Sequence, residues 1–294
     1  MLRDSADIGL IGYGSLMSGT GLGRLRVLHA ERVELHNARR GFAKYSRYGD
    51  HFAMALEPID ASAPITGSVL AAAEAGHPEG LLFKVSSSQL RGVSEREAYD
   101  AHKLAELEEK AAARDLSLAE FLWTLLSAES FDIPRYRARL FRLTRYTSRH
   151  YVPHPVTLGD RGYAITFLAP GAEGSGSPDV VPERVRTGNP PLMSAVEAWR
   201  ERSTESQLKY LATCFLGALH GVCVRDLSTG LNDESELYQQ LRLALARERA
   251  AERQRFLDAT GLEEETYRSV FGEHTRLARR SGVSHLFDDV DSGD

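Results

Sequence analysis

Short apolar runs punctuated by Gly, Asp and Pro dominate the first third of the chain, a pattern that predicts strands rather than helices. Ile8 to Ile11 runs into Gly12-Tyr13-Gly14-Ser15, a buried strand ending in a tight loop. Arg32 to Leu35, Ala38 to Phe42, and Phe52 to Leu56 before Glu57-Pro58 read as strands of a mixed sheet, while Ile65 to Leu70 fits strand or turn equally. Leu81 to Val85 is a clearer strand, and the serines that follow supply a helix cap. From Ser94 the pattern becomes helical. SEREAYDAHKLAELEEKAAARD predicts one charged helix with its acids at the N-terminal end, and Leu116 to Leu126 a second, with Leu118, Phe121, Leu122 and Leu125 on one face. Arg135 to Arg149 alternates arginine with apolar residues and predicts a half-buried strand with a solvated arginine face, in preference to a nucleic-acid-binding segment. Gly162 to Leu168 is again strand, and Pro170 to Pro191 is loop by composition. Leu192 to Leu219 is helical with a break at Glu201 to Glu205, and charged helix runs on from Asn232 to a frayed tail, DDVDSGD.

Composition narrows the class without deciding the function. The 294 residues are ample for a core, and 42% hydrophobic with 26% charged residues is ordinary for a soluble globular protein. A formal charge of -5 argues against nucleic-acid binding through net charge. Cys214 and Cys223 fit buried reduced thiols better than a disulfide framework or zinc site, so a reducing cytoplasm is expected. With no long apolar segment, neither secretion nor membrane insertion is expected. The histidines show no metal-ligand spacing, and His150 and His154 read as surface loop residues.

The loop at Gly12 to Leu16 is the first candidate site. Flanking glycines allow close approach to main-chain amides, which can face an anion or a developing oxyanion. A plain strand-to-turn transition uses the same letters, and Met17 at the sixth position departs from the dinucleotide Gly-x-Gly-x-x-Gly pattern. No Gly-x-Ser-x-Gly elbow surrounds Ser15, which argues against a serine nucleophile. The titratable groups placed to meet the loop are Glu95 and Glu97, after the Leu81 to Val85 strand. Being two apart they do not share a helix face, and spacing alone leaves open which one points inward, or whether both are first-turn acids.

The order strand, Gly-Tyr-Gly-Ser-Leu, two short strands, Gly-x-Leu-Phe-x-Val and Leu-x-x-x-Ser-x-Arg-Glu-x-Tyr resembles the γ-glutamylcyclotransferase superfamily, including its ChaC-type and γ-glutamylamine branches. Three pieces match in order: Gly12 to Leu16, Gly80 to Tyr99, and Tyr210 to Gly221. The resemblance implies an α+β protein with a small mixed, barrel-like sheet, a family domain over 1–230 with a helical insertion at about 103–148, and a C-terminal helical extension over 231–294. It puts the catalytic glutamate at Glu97, the substrate-holding loop at Tyr13, Gly14, Ser15 and Leu16, and a late ligand-binding tyrosine at Tyr210. Arg39 and Arg40 stand in an Arg-Arg-aromatic pattern similar to the ChaC-type branch, and either, Arg40 foremost, is a candidate partner for a substrate carboxylate, with surface charge the equal alternative for both. Ser94 departs from the family, standing where many members carry aspartate.

The implied chemistry is intramolecular acyl transfer. The α-amine of a γ-glutamyl compound attacks its own γ-carbonyl, giving 5-oxoproline and releasing an amino acid, peptide or amine, with Glu97 as general acid and base. No metal or cofactor is needed for this. The expected partner is a small γ-glutamyl molecule, with neither nucleic acid nor membrane, and the oligomeric state, homodimer included, stays open. The alternative from another class is a binding or regulatory module that keeps the pocket without turnover.

Overall fold

The architecture is that of a computed structural model, which describes residues 8–23, 25, 30–46, 49–69, 77–97, 100–144, 151–169, 192–219, 227–268 and 286. It is a mixed α+β fold organised on a closed six-stranded barrel. Its strands are β1 (Ile8–Gly12), β2 (Ala30–His36), β5 (Thr66–Val69), β6 (Glu79–Val85), β7 (Val152–Thr157) and β8 (Tyr163–Leu168), in the order β1-β6-β2-β5-β7-β8. Most neighbours are antiparallel; β1 closes onto β8, and β5 onto β7, in parallel. Closure leaves these strands without a free edge. β1 is buried at all five positions, between β6 and β8, which explains why its sequence is an apolar run rather than an alternation.

β3 (Ala38–Ser46) and β4 (His51–Pro58) form a separate hairpin with a bulge between Phe42 and Lys44. Its edges are covered. Phe42 exchanges main-chain hydrogen bonds with Met193 at 2.8 and 3.0 Å, and the Gln207 amide meets the Phe52 main chain.

The helices surround this frame: α1 (Gly19–Leu22), α2 (Ser87–Arg96), α3 (Ala101–Ala112), α4 (Leu118–Ala128), α5 (Ile133–Thr144), α6 (Ala195–Glu201), α7 (Glu205–Leu219) and α8 (Glu236–Thr260). Ser86 caps α2 in a capping box with Gln89. The four apolar residues expected on one face of α4 are all buried. α6 and α7 are separated where the sequence predicts a break. Among the described residues no helix is long and apolar enough to cross a membrane.

Three expectations are corrected. Over its described part, Arg135 to Thr144, the arginine-rich segment belongs to the helix α5, not a strand. Ile133, Tyr136, Leu140 and Thr144 are its buried residues, a spacing of three and four, and this periodicity outweighs the apparent alternation. The helix predicted from Ser94 onward is two helices, α2 ending at Arg96 and α3 starting at Ala101, with Asp100 capping the second. His154 is buried on β7 rather than in a surface loop. Cys223, His150, Tyr99, the Pro170 to Pro191 loop and the acidic tail lie outside the described residues.

Candidate functional site

At the C-terminal end of β1 the chain turns through Tyr13 and Gly14 into a single 3-10 turn, Ser15–Met17, closed by Met17 N–H donating to the Gly14 carbonyl at 2.9 Å. A turn of this kind leaves its leading amides without internal acceptors. The Gly14, Ser15 and Leu16 N–H groups donate to none of the described residues. They are available for an anion.

The loop lines a cavity together with Ile11, Met54, Glu97, Tyr151, Phe167 and Tyr210. It offers only about 20 Å³ to a water-sized body, room for one water molecule. Glu97 follows α2 as its C-cap, its N–H bonded to the Val93 carbonyl at 2.9 Å. The expectation of a first-turn acid fails here. A carboxylate at a helix C-terminus faces the negative end of the dipole, so stabilising the helix does not account for its position. The choice left open by spacing is also resolved, since Glu95 is exposed while the Glu97 side chain is 17% accessible and lines the cavity. Arg96 bridges the loop and the carboxylate: its Nη2 lies 3.1 Å from Ser15 Oγ and 3.3 Å from Glu97 Oε1.

Three tyrosines wall the cavity, and their hydroxyls are engaged with main chain. Tyr13 donates to the Phe167 carbonyl at 2.5 Å, Tyr151 donates to the Met54 carbonyl, and Tyr210 accepts from Met54 N–H at 2.9 Å. The hairpin is thereby held against the barrel and α7 at one residue. Burial is the main reason all three phenols are held well above the usual tyrosine value, and the Glu97 charge adds to it. They are neutral at physiological pH. Cys214, one turn beyond Tyr210, is pushed up to about 12 by burial and is an inert thiol.

Lys44, just past the hairpin bulge, places its ammonium 3.9 Å from the Tyr151 ring centroid. Burial lowers it to about 8, against the pull of the Glu97 charge. Lys44, Met54, Tyr151, Phe167 and Arg96 were all missed by reading the sequence. Only the last had a local signal, its adjacency to Glu97.

Thus Tyr13, Gly14, Ser15, Leu16, Glu97 and Tyr210 meet at one cavity. Arg40 is not brought there: buried, its Nη1 donates to the carbonyls of Tyr13 at 3.0 Å and Glu79 at 2.6 Å, so it fixes the backbone behind the loop. Arg39 is an exposed partner of Glu57.

The glycines after the loop also find their reason. A Cβ on Gly21 would stand 1.4 Å from the Ser15 carbonyl oxygen, so α1 lies directly against the loop. A Cβ on Gly19 would stand 2.4 Å from the Phe256 nitrogen, which brings α8 against α1 backbone to backbone. Buried Glu252 of α8 accepts from Thr20 N–H at 2.9 Å and from Thr20 Oγ1 at 2.5 Å. The C-terminal helix therefore supports the site loop through α1. Comparison with protein-family models, curated proteins and solved structures finds no match to this chain.

Proposed function

We propose that this chain is a γ-glutamylcyclotransferase-type enzyme on the γ-glutamylcyclotransferase fold, working in the cytoplasm and converting a γ-glutamyl compound to 5-oxoproline with release of an amino acid, peptide or amine. The observation that carries this reading is that Glu97 and the Tyr13 to Leu16 loop line one cavity, and that the loop's Gly14 to Leu16 N–H groups donate to none of the described residues.

In this mechanism Glu97 takes a proton from the substrate's α-ammonium, and the freed amine bonds to the γ-carbon. The oxygen of the tetrahedral intermediate is met by the Gly14 to Leu16 amides, donors already fixed before reaction by α1 behind them. On collapse the γ-carbon to nitrogen bond breaks as Glu97 returns its proton to the leaving nitrogen. The ring nitrogen's surplus proton follows, leaving a neutral lactam and a protonated amine. Lys44 supplies positive charge for the substrate's carboxylate.

A cavity of about 20 Å³ does not admit a γ-glutamyl group, so binding requires an opening. Arg96 is the group to move. Its side chain is 37% accessible, and beyond it lies a cleft of about 450 Å³ between α1 and α2, lined in part by Thr20, Leu22, Gln89 and Val93. Substrate entry turns Arg96 from Glu97 toward the substrate carboxylate, and the leaving group lies in the cleft.

The test is 5-oxoproline release from glutathione, γ-glutamyl-alanine and a γ-glutamylamine by the wild type and by Glu97→Gln. The expected result is product from at least one substrate, reduced about a hundredfold or more in the variant, the low end for loss of a general base. No product from a folded wild type on the whole panel would favour the binding-module reading instead.

A further inference from the structure

Strand pairing gathers a second set of chemistry-bearing side chains. On β2, Glu34 and His36 share the face opposite to that of Val33 and Leu35. His77 precedes β6, and continuing the antiparallel register in which Glu34 faces Glu79 sets His77 directly across from His36. The hydrogen bond from Leu35 N–H to the Pro78 carbonyl, 2.9 Å, carries the ladder to that point. The two imidazole rings lie 5.0 Å apart edge to face, and potential ligand atoms of Glu34, His36 and His77 are all within 4.8 Å of one another.

Glu34 supplies a second, independent observation. Its side chain belongs to a residue only 4% accessible, and its Oε1 has no hydrogen-bond partner among the described residues. A buried carboxylate in this condition is strongly unfavourable unless a cation compensates it. The nearest cation on the same strand face is Arg32, but it is paired with Glu79, a second buried carboxylate directly opposite Glu34. The missing positive charge would sit between Glu34 and the two imidazoles, whose candidate ligand atoms lie within 4.8 Å of one another.

We propose that Glu34, His36 and His77 form a binding site for a divalent transition metal, Zn²⁺ by the chemistry of its donors. Two imidazoles and one carboxylate suit zinc and its neighbours, whereas Mg²⁺ and Ca²⁺ favour oxygen-only shells. Tetrahedral zinc at about 2.0–2.1 Å from each donor needs donors about 3.3 Å apart, so the cluster closes by up to about 1.5 Å on binding. Exposed His77 supplies both that movement and an entry path. Ser68 Oγ, 3.0 Å from His36 Nε2, steadies that ring as an outer-shell partner does. Three protein ligands leave a fourth position for water. None of the three lines the cavity at Glu97, so this site stands apart from the proposed cyclisation and ties the start of β6 to the end of β2.

The experiment is calorimetric titration of Zn²⁺ into the full chain after chelator treatment, with excess Mg²⁺ present and folding checked by circular dichroism. The same titration is run on His77→Ala, Glu34→Gln and a control, His102→Ala, at an exposed position of α3. One equivalent bound by the wild type and by the control, weakened tenfold or more in His77→Ala, is the expected result. Co²⁺ binding should give a visible ligand-field spectrum in the wild type that His77→Ala abolishes. Failure of the folded wild type to bind Zn²⁺, or equal binding by His77→Ala, overturns the assignment. Glu34→Gln, isosteric with the native side chain, keeps the test valid should a histidine variant misfold.

Discussion

Replacing Lys44 by Met removes the charge and keeps the length of the side chain, and it should make the protein more stable and less active together. Burial holds the Lys44 ammonium at about 8 against an ordinary 10.5. At about 1.4 kcal/mol per tenfold change, that difference means the charged form lowers stability by roughly 3 kcal/mol at pH 7. The contact with the Tyr151 ring, lost in the variant, offsets about 1 kcal/mol of the gain. A net increase of about 2 kcal/mol is expected from urea unfolding at pH 7. The pH dependence is sharper still. Below pH 8 the lysine is protonated in both folded and unfolded chains and the penalty is complete; above 10.5 it is neutral in both and the penalty is gone. Wild-type stability should therefore rise across pH 8 to 10.5 relative to the variant, and the advantage of Lys44→Met should vanish there. Activity moves the other way, with KM for a γ-glutamyl substrate raised about tenfold or more if Lys44 meets its carboxylate. A variant less stable than wild type at pH 7, or more stable by the same amount at every pH, would refute the argument that an unfavourable charge is kept at this position.

The remaining predictions concern the frame of the site. His154 is held at about 3, first by burial and then by Arg137, so its native form is neutral. The unfolded chain takes up its proton near pH 6.5, so stability falls as pH drops from 6.5 toward 3, by about 2–3 kcal/mol already at pH 4.5; His154→Leu should flatten that limb in denaturant titrations at pH 7 and 4.5. Gly21→Ala places a methyl group on the Ser15 carbonyl and should lower stability by about 3 kcal/mol, read as a fall in Tm, because backbone must move to admit it. Glu252→Ala leaves the partly buried Thr20 N–H without its acceptor and should lower stability by about 2 kcal/mol while also lowering 5-oxoproline formation, since α1 is the support of the loop.

What the sequence revealed and what it hid follow from how far apart in the chain the cause of each feature lies. Strand β1, its loop and the Ser86 cap are written in adjacent residues, so they could be read directly. Glu97 could be singled out because its neighbours form a motif, but not its relation to the helix: the motif lies at the end of α2, and nothing in SEREAYD distinguishes the end of one helix from the start of the next. Arg135 to Arg149 misled because a helix carrying arginines between widely spaced apolar anchors mimics alternation over a short window. Its period becomes plain only when Ile133, just before the segment, is counted with Tyr136, Leu140 and Thr144.

The rest of the cavity's surroundings could not be read from the sequence. Tyr151 and Phe167 come from the β7 and β8 end of the chain and Met54 from a hairpin outside the barrel, which also sets Lys44 over the Tyr151 ring, and each arrives through long-range packing or main-chain bonds. The same holds for Glu34, His36 and His77, whose spacing matches no metal motif until β2 and β6 pair. Local sequence thus specifies the Glu97 carboxylate and the Gly14 to Leu16 loop, whereas distant segments supply burial, charge and access. Under the proposed function, such a division suits one cyclisation chemistry used on different leaving groups. Substitutions around the α1 to α2 cleft or at Arg96 can change what enters while Glu97 and the loop stay as they are, held by Arg40 on one side and by α1 and α8 on the other.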